Sequence, residues 1–183
     1  AQAYHFDNIE LGRIFSAFLV GYAVFQTAGG RLADRFGPRR VLAGAVVWWG
    51  VFTALTAALP VGISHALVWF IAIRFLFGAG EAVIFPASNQ FVARWIPMQE
   101  RGLANGLIFA GVGAGSGLTP PLITYIMSHY GWRASFWLCA VMGLIAGAIW
   151  YAVGRDTPAE HPRVSATELE TIRAGLIEPD AGT

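Results

Sequence analysis

Five runs of apolar residues, each close to the length that crosses a bilayer, are separated here by short polar breaks. A bilayer core about 30 Å thick is spanned by roughly 20 helical residues, and every backbone N–H and C=O inside it must be bonded within the protein. The runs extend from Ile14 to Gly30, Val41 to Leu59, Leu67 to Val92, Leu103 to Met127 and Ala134 to Val153. Asp7 or Asn8 can cap the first, and Gly37-Pro38, Pro60, Pro97 and His129 to Gly131 mark the breaks. The fold class these runs predict is an all-α membrane protein with five transmembrane helices.

Charge excludes several alternatives. Only 13% of residues are charged against 56% hydrophobic, too few to cover a water-facing surface. All twelve basic residues are Arg and the net charge is +1, which leaves no basic stripe for nucleic acid. Cys139 is the single cysteine, so neither an internal disulfide nor a thiolate metal cluster can form. His5, His65, His129 and His161 are scattered over loops, HExxH and a lysine-bearing phosphate loop are missing, and GVGAGSG lacks the third glycine of a dinucleotide fingerprint. No cofactor or metal is expected.

Arginines orient the spans. Arg31, Arg35, Arg39 and Arg40 fall between the first two, and Arg94 and Arg101 between the third and fourth. Pro60 to His65 has no Arg and the segment before Ala134 has only Arg133, so the positive-inside rule makes the Arg-rich loops cytoplasmic and places the first residue outside. The chain opens on AQAYHFDNIELGR, with neither an initiator Met nor the pattern of a signal peptide. A preceding span is therefore expected, which would complete a six-helix bundle with both ends in the cytoplasm. Residues 1–153 form the bundle, and residues 154–183, rich in charge and proline, read as a cytoplasmic linker towards a second domain. Ser165 and Glu168 there form a capping box for a short helix from Ala166 to Gly175.

Two charges lie within the third run. A charge near the middle of a membrane helix costs about 2.5 to 3.5 kcal/mol on insertion scales, so Arg74 and Glu81 need partners or a wet cavity. Seven residues apart, they share a helix face with Gly78 between them, separated along the axis by about 10 Å. Either they line one cavity, or Arg74 bonds a neighbouring helix and Glu81 is a protonated bridge between helices. In the fourth run Gly111, Gly113, Gly115 and Gly117 make overlapping small-xxx-small pairs suited to close packing. The seven tryptophans, including Trp48 and Trp49, read as packing residues or interface anchors.

GRLADRFGPRRVL, between the first two runs, resembles the loop signature of the major facilitator superfamily, with Gly30, Asp34, Arg35, Gly37, Arg39 and Arg40 matching. Its glycines permit a tight turn between antiparallel helices, and its carboxylate and guanidiniums permit a lockable ionic contact. Arg74, Gly78 and Gly80 match the superfamily's fourth helix. FSAFLVGYAVFQTAGG, GEAVIFPASNQFVARWIPMQERG, YGWRASFW and RDTPAEHP together resemble the anion:cation symporter family, which includes hexuronate, glucarate, galactonate and phthalate permeases.

That resemblance implies that the five spans are helices two to six of an N-terminal half-bundle. It implies proton coupling at Glu81 and a substrate site drawing on Tyr22, Gln26, Arg74 and Asn89, although Gln26 and Asn89 suit helix packing equally well. The loop residues Gly30, Asp34, Arg35, Gly37, Arg39 and Arg40 would gate the conformational cycle, Asp34 by contacting the other half. The implied function is secondary transport of a small organic anion such as a sugar acid, coupled to protons or alternatively to sodium. Its partners are that anion, the lipid bilayer and the C-terminal half, and its setting is a bacterial inner membrane. A scaffold or sensor is the rival reading. An intramembrane enzyme would need a second buried catalytic group, which the five runs lack.

The topology is testable in the full-length protein carrying Cys139→Ala. A cysteine introduced at Ser64 should react with a membrane-impermeant thiol reagent added outside intact cells, and one introduced at Arg40 only after the membrane is opened. Reaction of Arg40→Cys from outside would invert the orientation.

Overall fold

The structure, a computed structural model, describes Tyr4 and residues 6–176; His5 and residues 177–183 of the expected linker lie outside the described residues. Helix α1 (Asn8–Phe36) starts at Asp7, whose carboxylate accepts from the Glu10 N–H at 2.7 Å while Glu10 accepts from the Asp7 N–H at 3.1 Å. Two of the helix's orphan donors are thus satisfied reciprocally. The chain then forms α2 (Pro38–Ala58), α3 (Ala66–Glu81), α4 (Ile84–Trp95), α5 (Arg101–Tyr130), α6 (Trp132–Val153) and α7 (Ala166–Gly175), with no strand among the described residues. With α3 and α4 taken together, five helical stretches are long and apolar enough to cross a membrane. Helix α7 has the predicted limits, but Ser165 caps it through a single bond from the Glu168 N–H, without the reciprocal bond of a capping box.

Helices α1 and α3 touch backbone to backbone. A Cβ on Gly78 would stand 3.0 Å from the Tyr22 nitrogen and closer still to the Phe18 carbonyl, and one on Gly21 would overlap the Phe75 carbonyl. Further along, a Cβ on Gly29 would lie 2.8 Å from the Val83 Cα. Lipid gives apolar side chains no reason to leave it, so close approach at small residues supplies the van der Waals contact that holds membrane helices together. A second pair forms between α2 and α6, where Leu144 fills the space over Gly50 and Val46 the space over Gly147.

The third predicted run is two helices. The break falls at Ala82 and Val83, ahead of Pro86, because proline has no N–H to offer the carbonyl four residues back and its ring crowds that carbonyl. Ala82 and Val83 are buried, and the Ala82 carbonyl lies against Gly29. The break is thereby kept from lipid, where irregular backbone is not tolerated.

Helix α5 has no buried residue, and a Cβ on Gly111, Gly113, Gly115 or Gly117 would meet nothing within 4 Å. The close packing expected of this glycine stripe is not made within the described residues.

In the full-length protein Gly78→Leu should destabilise by about 1 to 3 kcal/mol or prevent folding, since the added atoms collide with α1 backbone. Gly44→Ala, at an open position of α2, should be neutral or slightly stabilising. Thermal unfolding in detergent checks both.

Candidate functional site

The sequence-predicted residues fall at three levels along the α1–α3 pair. Between the close contacts at Gly21/Gly78 and Gly29/Val83 lie Tyr22 and Gln26 on α1 and Glu81 at the end of α3. Tyr22 and Glu81 are half-buried and Gln26 is exposed. Tyr22 stacks on Phe18, whose ring in turn packs on Phe77 of α3. Asn89 lies beyond the break on α4 and is exposed, away from this level.

Arg74 occupies a third place, nearer the start of α3. It lines a cavity of about 520 Å³ walled by the first turns of α1, the end of α2, the start of α3 and the α5–α6 junction. Tyr4, Phe6, Phe70, Trp132 and Phe136 give the cavity an aromatic wall, with Phe70 meeting Tyr4 edge-on at 4.9 Å. The guanidinium lies 5.6 Å from the Phe77 ring centre and 6.0 Å from that of Phe136, within reach of the ring quadrupoles. Tyr22, Gln26, Glu81 and Asn89 are not among this cavity's lining residues. Arg74 and Glu81 thus share a helix while standing in separate surroundings.

At the opposite end of the bundle the signature loop is tied to its own half. Asp34 accepts a hydrogen bond from the Gln90 Nε2 of α4. Gly37 takes φ +81°, a conformation that favours glycine, and the Asp156 carboxylate occupies the place a side chain there would fill. Asp156 Oδ1 accepts the Arg39 N–H at 2.9 Å, at the positive end of α2 where a carboxylate is favoured. Arg39 extends its guanidinium to the Tyr151 carbonyl, at 3.1 Å from Nε and 2.6 Å from Nη2, and lies 4.3 Å from that ring. It satisfies one of the last carbonyls of α6, and Trp150 Nε1 donates back to the Arg39 carbonyl at 3.1 Å. Arg35 packs over Phe36, Gly30 lies beside Pro86, and Arg40 is exposed.

The segment after α6 is accordingly bound to the bundle along its start. Trp95 Nε1 donates to the Arg155 carbonyl at 3.1 Å, and Gly175 abuts Pro97. Asp156 and Gln90 stand in quoted motifs, yet nothing local in either motif identifies Gly37 or Asp34 as its partner. Trp48 is a third residue that only the fold reveals. Its ring lies over Gly80 and its Nε1 donates to the Leu76 carbonyl at 2.7 Å, one turn before Glu81.

Asp156→Ala should cost the full-length protein about 1 to 2 kcal/mol by exposing the α2 N-terminus, while Asp156→Asn, which keeps an acceptor, should cost less. Chemical unfolding of the two variants separates them. Equal losses would mean that the charge rather than the acceptor matters.

Comparison with known proteins places these features. The sequence profile described as Major Facilitator Superfamily matches residues 1–179. The probable sulfoacetate transporter SauU of Cupriavidus necator is 36% identical over 163 residues, which cover 89% of this chain and 37% of that protein. The probable galactarate/D-glucarate transporter GudP of Bacillus subtilis is 33% identical over 177 residues, covering 95% of this chain and 39% of that protein. A chloroplastic ascorbate transporter of Arabidopsis thaliana is 31% identical over 175 residues, with 96% and 32% covered. The chain therefore spans well under half the length of these curated relatives. Among solved structures, the proton:xylose symporter XylE bound to 6-bromo-6-deoxy-D-glucose superposes with a TM-score of 0.73 at 18% identity, over 96% of this chain and 42% of that one, a likeness of fold. By the profile match over nearly its whole length, this chain belongs to the major facilitator superfamily.

Proposed function

We propose that the chain is five of the six helices in the N-terminal half of a secondary carrier, one that moves a small organic anion, a sugar acid or related carboxylate, together with protons. The observation that carries this is the helix break directly after Glu81, inside the span and against Gly29, about one turn beyond Gln26 on α1. Carriers use interrupted helices near the bilayer midplane to present polar groups to substrate and coupling ion. The substrates for which the three relatives above are named, sulfoacetate, galactarate or glucarate, and ascorbate, are organic anions, and a further chloroplastic relative of Arabidopsis thaliana is named for phosphate.

In this mechanism Glu81 takes up and releases the coupling proton, and Arg74 supplies positive charge for the carboxylate from the aromatic cavity. Tyr22 and Gln26 offer hydrogen bonds at the level of Glu81, with Asn89 on the far side of the break. The two states are alternative dockings of this bundle against a second one, and the signature loop biases them. A ligand shifts such an equilibrium only through a difference in affinity between states, so changing the charge of Glu81 must change which docking is favoured.

The test is Glu81→Gln in the full-length protein. Gln keeps the size and hydrogen-bonding capacity of a protonated Glu but releases no proton. Labelled glucarate in proteoliposomes should still exchange across the membrane, while accumulation driven by an imposed pH gradient is lost. Accumulation that survives would move the proton site elsewhere, and loss of exchange as well would make Glu81 a structural or binding residue.

A further inference from the structure

At the Arg-rich end of the bundle a second cavity, of about 490 Å³, opens between the end of α4, the start of α5, and α7. Three arginines from three elements converge on it: Arg94 in the last turn of α4, Arg101 opening α5, and Arg173 in the last turn of α7. No lining residue is acidic. Of the neighbouring carboxylates, Asp156 binds the α2 N-terminus, and Glu160 accepts from Oγ1 of the lining Thr157 without lining the cavity itself. Arg101 is held by the protein, donating to the Ile96 carbonyl at 3.1 Å and the Ala93 carbonyl at 2.9 Å. Arg94 and Arg173 have no comparable bond among the described residues. Like charges gathered around one space repel, and an anion between them reverses the sign of that interaction.

Apart from Thr157, the rest of the wall is apolar. Leu169, Ile172 and Leu176 line the cavity from one side of α7 and its end, at the spacing of a helical stripe. Planar guanidiniums match the oxygens of a phosphate group, and the stripe matches hydrocarbon attached to it. A soluble phosphate would use the arginines and leave the stripe idle. Because α4 and α5 belong to membrane-crossing stretches, their ends at this cavity lie where a bilayer's headgroups lie.

We propose that this cavity is a binding site for the phosphate headgroup of an anionic phospholipid, gripped by Arg94, Arg101 and Arg173. The stripe of α7 covers the lipid's glycerol and first acyl carbons. The site is separate from Glu81 and Arg74, and it rests on the membrane placement of the helices but not on transport, coupling or substrate. Lipid occupancy would dock α7 against the α4–α5 junction. Basic clusters at a membrane surface gain about 1 kcal/mol per arginine from anionic lipid, equivalent to roughly fivefold in affinity.

The experiment uses the full-length protein, delipidated in detergent. Short-chain phosphatidylglycerol, phosphatidylcholine and glycerol 3-phosphate are titrated separately, with bound lipid counted by native mass spectrometry and Tm followed in parallel. Phosphatidylglycerol should bind and raise Tm, whereas the other two should do neither at the same concentration. Arg94→Gln and Arg173→Gln should each weaken phosphatidylglycerol binding about fivefold and together about 25-fold. Arg163→Gln, an exposed arginine outside the cavity, should change nothing. If the glutamine variants do not fold, Arg94→Lys and Arg173→Lys keep the charge, lose the planar fork, and should weaken binding by less. Equal phosphatidylglycerol binding in the double variant and the parent overturns the site. So does a parent that does not distinguish phosphatidylglycerol from phosphatidylcholine, and glycerol 3-phosphate binding as tightly as the lipid overturns the assignment to lipid. Failure of the carrier mechanism would appear in the Glu81→Gln transport assay with lipid binding intact.

Discussion

Both ends of α2 are held by the flanks of α6. At its start Asp156, just beyond α6, accepts the Arg39 N–H; at its finish Arg133, in the first turn of α6, donates to the Ala57 carbonyl at 3.1 Å and the Leu59 carbonyl at 2.8 Å. The carboxylate meets the positive end of the helix and the guanidinium the negative end, so each bond also has the favourable sign against the macrodipole. Helix ends are where a membrane bundle is weakest, because orphan backbone groups close to hydrocarbon have little water to turn to. With both ends fastened, the glycine contacts between α2 and α6 are kept in register, and the second close pair, α1 with α3, is braced through Trp48 of α2.

The same contacts change how the signature loop is understood. Its pattern implies a latch reaching to another half, yet Asp34, Gly37 and Arg39 are engaged within this one, by Gln90, Asp156 and Tyr151. Polar groups in the loop thus join α1, α2, α4 and α6 at one end, which suits a bundle that moves as a unit under the proposed rocking mechanism. Of the loop's residues, Asp34, Arg35 and Arg40 are exposed.

As candidates, Arg74 and Glu81 were legible because a charge inside an apolar run needs a reason and announces itself by cost alone, whereas Tyr22, Gln26 and Asn89 entered through the family resemblance. The separation of Arg74 and Glu81 into different surroundings was not legible. Helical spacing places them on one face, but the α1–α3 crossing and the α5–α6 junction decide which neighbours meet that face. Likewise Pro86 announces an interruption, whereas its location at Ala82 and Val83 follows from which carbonyl the ring displaces and from the room that Gly29 leaves for it.

What the sequence determined by itself is what local chemistry determines: five apolar stretches of spanning length, the limits of all but the first to within a turn, the α7 helix and the loop signature; α1 runs six residues further at each end than its apolar run. Hydrogen bonding in hydrocarbon admits few solutions, so hydropathy and punctuation suffice for those features. Only the tertiary structure decided which glycines carry contacts. Gly21, Gly29 and Gly78 do, and the more conspicuous stripe of Gly111 to Gly117 does not, because a small residue is merely permission for close approach. It decided as well that Asp156 belongs to Gly37 and Arg39, more than a hundred residues away, and that three arginines from separate elements enclose one cavity. Pairings of that kind depend on how helices lie side by side, which no window along the chain contains.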